Sequence, residues 1–151
     1  MRTYLLAIVL CLLSCLSCQE KELPTPTKED LSGTIWETNF DLETSLYGQI
    51  PVKMTIYFDS DEDMRVFLDA RQYNYKDLSA SYTLNKNLLN YTVHFVDTYL
   101  LPNIQETSWI IRKRTSKTMI WEPTPQGVNF RNYLGVVEAM LTTPITLYKK
   151  S

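Results

Sequence analysis

Cysteine is missing from residue 19 to the end of this 151-residue chain; all three, Cys11, Cys15 and Cys18, crowd into the N-terminus. A secreted domain stapled by disulfides would carry an even set spread through its fold, so that class is excluded. Histidine is reduced to His94 alone. A multi-histidine metal site is therefore impossible, and no thiolate remains in the body of the chain to help form one. The four glycines, Gly33, Gly48, Gly127 and Gly135, stand apart, which excludes a glycine-rich phosphate loop. There is no internal repeat and no run of five like charges, and the formal net charge is −2. Nothing in that balance draws the chain toward nucleic acid.

What is present begins with the uncharged apolar run YLLAIVLCLLSCLS, residues 4–17, preceded by Arg2. It falls short of the ~20 apolar residues needed to cross a bilayer. A positive start, a short apolar stretch and small residues before a cut are instead the pattern of a secretory signal. Its end, LLSCLSCQEKE, resembles the lipobox of bacterial lipoproteins, in which a small or apolar triplet precedes a cysteine that becomes the new N-terminus. Two registers fit, Leu12-Leu13-Ser14 before Cys15 and Cys15-Leu16-Ser17 before Cys18. Charge begins only behind Cys18, with Gln19, Glu20, Lys21 and Glu22, which favours Cys18 as the lipidated residue and leaves Cys15 as the alternative. The resemblance implies a thioether-linked diacylglyceryl group and an acylated amine. It also implies an outer-membrane lipoprotein of the cell envelope, on the surface or the periplasmic face. Two or more acyl chains hold a protein stably where one does not. Expected boundaries are a signal at residues 1–17, a lipidated tether at 18–30, extended by Pro24 and Pro26, and a folded domain at 31–151. Removing Arg2 from the 15 basic groups leaves 14 against 17 acidic ones from Cys18 onward, a net charge of −3.

The 44% hydrophobic and 12% aromatic content is that of a globular chain. From Leu31 the apolar period is two. Trp36, Phe40 and Leu42 alternate with Glu37, Asn39 and Asp41; Val52, Met54, Ile56 and Phe58 with Lys53, Thr55 and Tyr57. The same alternation runs through Met64–Ala70, Ala80–Leu84 and Tyr91–Phe95, placing Arg65 and His94 on the wet face. Strands with one buried and one solvated side read this way. Hairpin signals follow at DSDED (59–63), NKN (85–87) and TSK (115–117). The expected fold is all-β: about eight antiparallel strands in sequential, up-and-down order closing a barrel. Two segments depart from it. VNFRNYLGVVEAML (128–141) has apolar residues at helical spacing and is expected as a short helix before the last strand. VDTYLLPNIQET (96–107) is expected as a long loop at one rim.

The Gly-x-x-Trp of LSGTIWE, Gly33 to Trp36, followed by a β-meander, resembles lipocalins and the lipocalin-like domains of bacterial lipoproteins. The resemblance implies a cup that holds a small apolar or amphipathic ligand, and an eight-stranded barrel has the size to do so. The candidate lining is Trp36, Phe40, Met54, Phe58, Tyr82, Tyr91, Phe95, Trp109 and Trp121. Packed tightly, the same residues would fill the barrel and leave its loops to meet a protein or glycan.

Catalytic and metal motifs are not found. Asp59, Asp61 and Asp63 begin like a calcium loop, but Met64 and Ala70 stand where glycine and glutamate are required. His94 and Asp97 have no nucleophile motif beside them. Arg112, Lys113, Arg114 and Lys117 cluster at one hairpin tip, a solvated feature or a place for phosphate. The expected molecule is a non-enzymatic, cofactor-free monomer that folds without disulfide or metal.

Overall fold

The computed structural model describes residues 20–44, 48–70, 73–94, 104–125, 128–131 and 137–151. For parts of the strands, among them His94, it describes the backbone alone. A four-residue helix α1 (Lys28–Leu31) precedes ten strands: β1 (Thr34–Thr44), β2 (Gly48–Phe58), β3 (Asp63–Ala70), β4 (Tyr73–Asn85), β5 (Leu88–His94), β6 (Ile104–Arg114), β7 (Thr118–Pro123), β8 (Val128–Arg131), β9 (Val137–Leu141) and β10 (Ile145–Lys149). All described pairings are antiparallel, and β1 to β7 pair in sequence order. Strand β10 joins β7 on one side and β1 on the other, at Trp36–Lys149 and Glu37–Tyr148. Eight strands thus close a lipocalin-like up-and-down barrel, with β8 and β9 as an added hairpin.

Alternation has the expected phase. Val52, Met54, Ile56 and Phe58 are buried inside, while Lys53 is exposed and Thr55 and Tyr57 are half-buried. The outer face is tied by charge. Glu37 lies 3.2 Å from both Lys53 and Lys150, and Arg65 grips Asp59 through two nitrogens at 2.7 and 2.8 Å. A register shift between Ile111 and Lys113 in β6 turns both Arg112 and Lys113 outward, where strict alternation would bury one of them.

The helix expected over 128–141 is corrected wherever that segment is described: residues 128–131 and 137–141 are strands that pair with each other, and residues 132–136 lie outside the described residues. The reason lies in β1. Its 11 residues outrun the five-residue β10, which covers only Trp36 and Glu37, so its far end would be left with unpaired backbone groups. Ala139 of β9 pairs with Thr44 there, and β8 covers β9 in turn. The expected loop at 96–107 is likewise shortened, since Ile104–Thr107 belong to β6. Residues 95–103 lie outside the described residues.

The segment ahead of Leu31 is not a bare tether. Thr27 caps α1 in a reciprocal box: its hydroxyl accepts from the Asp30 backbone N–H (3.3 Å), and its own N–H donates to Asp30 Oδ2 (3.0 Å). Gly33, in the left-handed region at φ +72°, then ends the turn and donates its N–H to the Phe58 carbonyl. This swings Leu31 into the base of the barrel, where it is fully buried. Further upstream, Leu23 N–H donates to the Arg114 carbonyl (2.7 Å), and Glu20 Oε2 accepts from Thr115 Oγ1 (2.5 Å). Arg114 Nη1 pairs with Asp30 at 2.8 Å. Contacts with the end of β6 and the β6–β7 turn thus run from Glu20 to Asp30.

The Arg114 guanidinium, together with the Thr27 N–H, lowers the pKa of Asp30 to about 2. A carboxylate whose folded pKa lies below its unfolded value stabilises the fold above the unfolded value and loses that contribution as pH falls through the folded one. Acidification from about pH 4 to pH 2 should therefore loosen the α1 segment. Asp30→Asn should be less stable than the parent at pH 7 and show a flatter decline over that acid window, as thermal unfolding at stepped pH will record. Asp30 is partly exposed, so the effect is modest.

Candidate functional site in the barrel interior

Strand direction divides the barrel into two ends. The β2–β3, β4–β5 and β6–β7 turns, α1 and the end of β10 share one end. The last residues of β1, β3, β5 and β7 and the β9–β10 turn share the other.

The first end is plugged. Leu31 enters it, and Trp36 closes over it with its indole N–H donating to Thr34 Oγ1 (2.8 Å) and the Lys149 ammonium 5.9 Å from its ring centroid. Thr34 in turn donates to the Leu31 carbonyl. Tyr82 seals the opposite wall: its hydroxyl donates to the Ser60 carbonyl (2.9 Å), and Lys28 of α1 lies 5.8 Å from its ring centroid. Burial, with Asp61, Glu29 and Asp63 nearby, pushes the Tyr82 hydroxyl up to about 12, so it stays a neutral donor at any ordinary pH.

Above the plug the expected lining residues come together. Phe58 meets Tyr82 edge-on at 5.1 Å between centroids and Trp121 at 6.4 Å; Trp121 meets Trp109 at 5.7 Å. Trp36, Met54, Tyr82, Tyr91, Trp109 and Trp121 are all buried in one core cluster with Phe58, and Phe40 packs against it from a more exposed position. Phe95 lies outside the described residues.

Polar groups also lie inside the barrel. Thr38 and Thr107 are buried, at 2% and 4% exposure, and Trp109 and Trp121 are buried at 1% and 0%. Among the described residues neither indole N–H group has a hydrogen-bond partner. The Tyr91 hydroxyl is flanked by Trp109 and Thr107, which favour its ionised form, but burial outweighs them and pushes the hydroxyl up. Trp109 N–H, though directed toward this hydroxyl, makes no hydrogen bond of good geometry with it. Tyr91 and Thr107 face each other across β5 and β6, two residues farther from the β4–β5 turn than the Leu89–Trp109 pair. Phe58 and the rings around it form an apolar floor, bordered by the donors of Trp109, Trp121, Tyr91 and Thr107, with Tyr91 directly across from Tyr82. Alternation alone could have placed Thr38 and Thr107 inside, since each lies two residues from an inward tryptophan. Leaving the indoles unpartnered depends on which side chains meet them, which no spacing reveals.

A groove of about 400 Å³ opens elsewhere, lined by Asn39, Phe40, Asp41, Pro51, Val52, Lys53 and Asp69. Five of these seven residues are exposed, so it belongs to the outer wall and not to the aromatic interior. Among the described residues no group of three or more His, Cys, Asp or Glu side chains is placed to hold a metal ion. The Asp59–Asp63 turn is instead closed locally, with Ser60 Oγ accepting from the backbone N–H of Glu62 and of Asp63.

The fold defines an eight-stranded, lipocalin-like barrel with one plugged end and an aromatic interior. In comparisons with known proteins, no family model, curated protein or solved structure matches the chain.

Proposed function

We propose that this protein is an outer-membrane lipoprotein, anchored through Cys18, whose barrel binds a small amphipathic molecule and performs no catalysis. The observation that carries the reading is the pair of buried indole donors at Trp109 and Trp121, which have no acceptor among the described residues and border both the Tyr91 hydroxyl and the apolar floor. A buried donor without an acceptor costs about 1–3 kcal/mol. A ligand that brings an acceptor, such as a carboxylate or carbonyl, to these groups and an apolar tail to the floor would relieve that cost. Among the described residues Tyr148 is the one large hydrophobic side chain that is exposed, which accords with a monomer.

The test is titration with a medium-chain fatty acid, followed by tryptophan emission and by displacement of an apolar dye. A hydrogen bond to a charged group contributes about 1.5–3 kcal/mol, so Trp109→Phe should weaken binding about 10–100-fold while preserving most of the packing. Unchanged affinity in that variant removes the indole from the site. A second reading rests on the close ring contacts from Tyr82 through Phe58 and Trp121 to Trp109. Such a floor could extend upward and fill the barrel, leaving the loops of the opposite rim to contact a protein or glycan. Absence of saturable binding by any apolar probe would favour this filled, interacting barrel over the carrier.

A further inference from the structure

We infer that the plugged end of the barrel rests against the membrane surface, with the β6–β7 side contacting lipid phosphate groups and the opposite rim turned away from the bilayer. This rests on the reading of Cys18 as the anchor. It follows from where the chain between the anchor and the barrel is fastened. Glu20 is held twice at the β6–β7 turn, by Thr115 Oγ1 at 2.5 Å and by Lys117 Nζ at 3.3 Å. Leu23 and Asp30 continue the attachment to Arg114, and Glu22 lies 4.0 Å from Lys113.

Chain reach then decides the geometry. An extended chain spans at most ~3.3–3.6 Å per residue. Two backbone steps lead from Cys18 to Glu20, so the Cα of Glu20 lies within about 7 Å of that of the lipidated residue, and the Glu20 side chain reaches from there to the turn. Were residues 19–30 loose, the barrel could stand off by about 40 Å and point in any direction. The fastening converts a long leash into a short one and selects which end faces the lipid.

The charge at that side suits the surface it meets. Lys149 N–H donates to the Lys117 carbonyl (2.8 Å), which brings the C-terminal lysines Lys149 and Lys150 beside the turn. The Lys117 side chain is 79% exposed even while paired with Glu20. The acidic turn with Asp59, Asp61, Glu62 and Asp63 lies across the barrel, two strands away in either direction round the wall. Phosphate attraction and acidic repulsion therefore act on opposite sides of one end, and the barrel should tilt toward β6, β7 and β10. Such attraction decays over a Debye length of about 8 Å at physiological salt, so a short leash favours it and a long one would lose it. In consequence a ligand or partner would reach the barrel from the aqueous side and not from the bilayer.

The experiment uses the full chain, matured and lipidated, in vesicles of phosphatidylethanolamine and phosphatidylglycerol containing a headgroup spin label. From residue 19 onward there is no cysteine, so Ser116→Cys at the β6–β7 turn and Thr142→Cys at the opposite rim each offer one thiol for a fluorophore. Both positions are exposed. Quenching at position 116 should exceed that at 142 several-fold. In the Ser116→Cys chain, adding Glu20→Ala with Leu23→Pro removes the Glu20 contacts and one backbone donor, and should bring quenching down to the level at 142. Equal or reversed quenching in chains that float with the vesicles overturns the orientation while leaving the anchor intact. So does quenching that the Glu20 and Leu23 changes do not alter. A chain that fails to float and has an unmodified N-terminus overturns the anchor reading and this one with it.

Discussion

Phe58→Ala should destabilise the barrel by about 3–5 kcal/mol, measured as a shift of the denaturant midpoint at unchanged slope. Phe58 is buried at the end of β2, where the strand meets the plug. Its ring contacts Tyr82 and Trp121 at once, and its carbonyl accepts from Gly33 N–H. Removing the ring deletes the apolar surface it buries and leaves a space ringed by side chains that are themselves held: Tyr82 by its hydrogen bond to Ser60, Trp121 by its stacking on Trp109. Those neighbours cannot collapse inward cheaply, which places the cost toward the upper end of the range. Lys53→Ala on the outer face of the same strand should stay within about ±0.5 kcal/mol, since its exposed ion pair contributes little. The contrast is the informative part. A mild effect at Phe58 would mean that the floor is loose enough to admit solvent or ligand; a large effect at Lys53 would mean that the strand phase is reversed.

Leu31→Ala carries the second large expectation, a loss of about 2–5 kcal/mol. A four-residue helix has no stability of its own, because nucleation is unfavourable at that length. Helix α1 therefore persists through its capping box, the Asp30–Arg114 pair and the burial of Leu31. The leucine is fully buried at a barrel end that would otherwise be open to water. Its truncation would expose Trp36 and Phe58 from below as well as delete its own contacts. Unfolding followed by tryptophan emission should show the loss in the same cooperative transition that unfolds the barrel. A separate early transition, with the main midpoint unmoved, would mean that the α1 segment is an independent lid and not part of the core.

Much of the inside of this barrel was legible in the residues. Trp36, Met54, Phe58, Tyr82 and Tyr91 fall at alternate positions of runs bounded by turn residues, and all are buried as the alternation requires. The turns at NKN and TSK fall where β4 meets β5 and β6 meets β7. Period-two patterning is a local property of an extended backbone, so neighbouring residues suffice to reveal it. The misreadings have a common cause. At residues 128–141 the apolar spacing matches a helix, yet strands form there because the far end of β1 lacks a partner. Prolines at positions 24 and 26 do suit an extended segment, but whether it hangs loose depends on Arg114 and Thr115, more than 80 residues away in the chain.

By itself, then, the sequence determined the all-β class, the inward and outward phase of the strands, the positions of the main turns and the lack of any disulfide framework. Tertiary structure alone decided that β10 closes on β1, that Leu31 plugs one end, that residues 20–30 are fastened to the end of β6 and the β6–β7 turn, and that two tryptophan N–H groups are buried without acceptors among the described residues. The division is physical. Strand phase is written in each residue's immediate neighbours, whereas closure, plugging and hydrogen-bond satisfaction are settled between groups that meet only once the chain has folded.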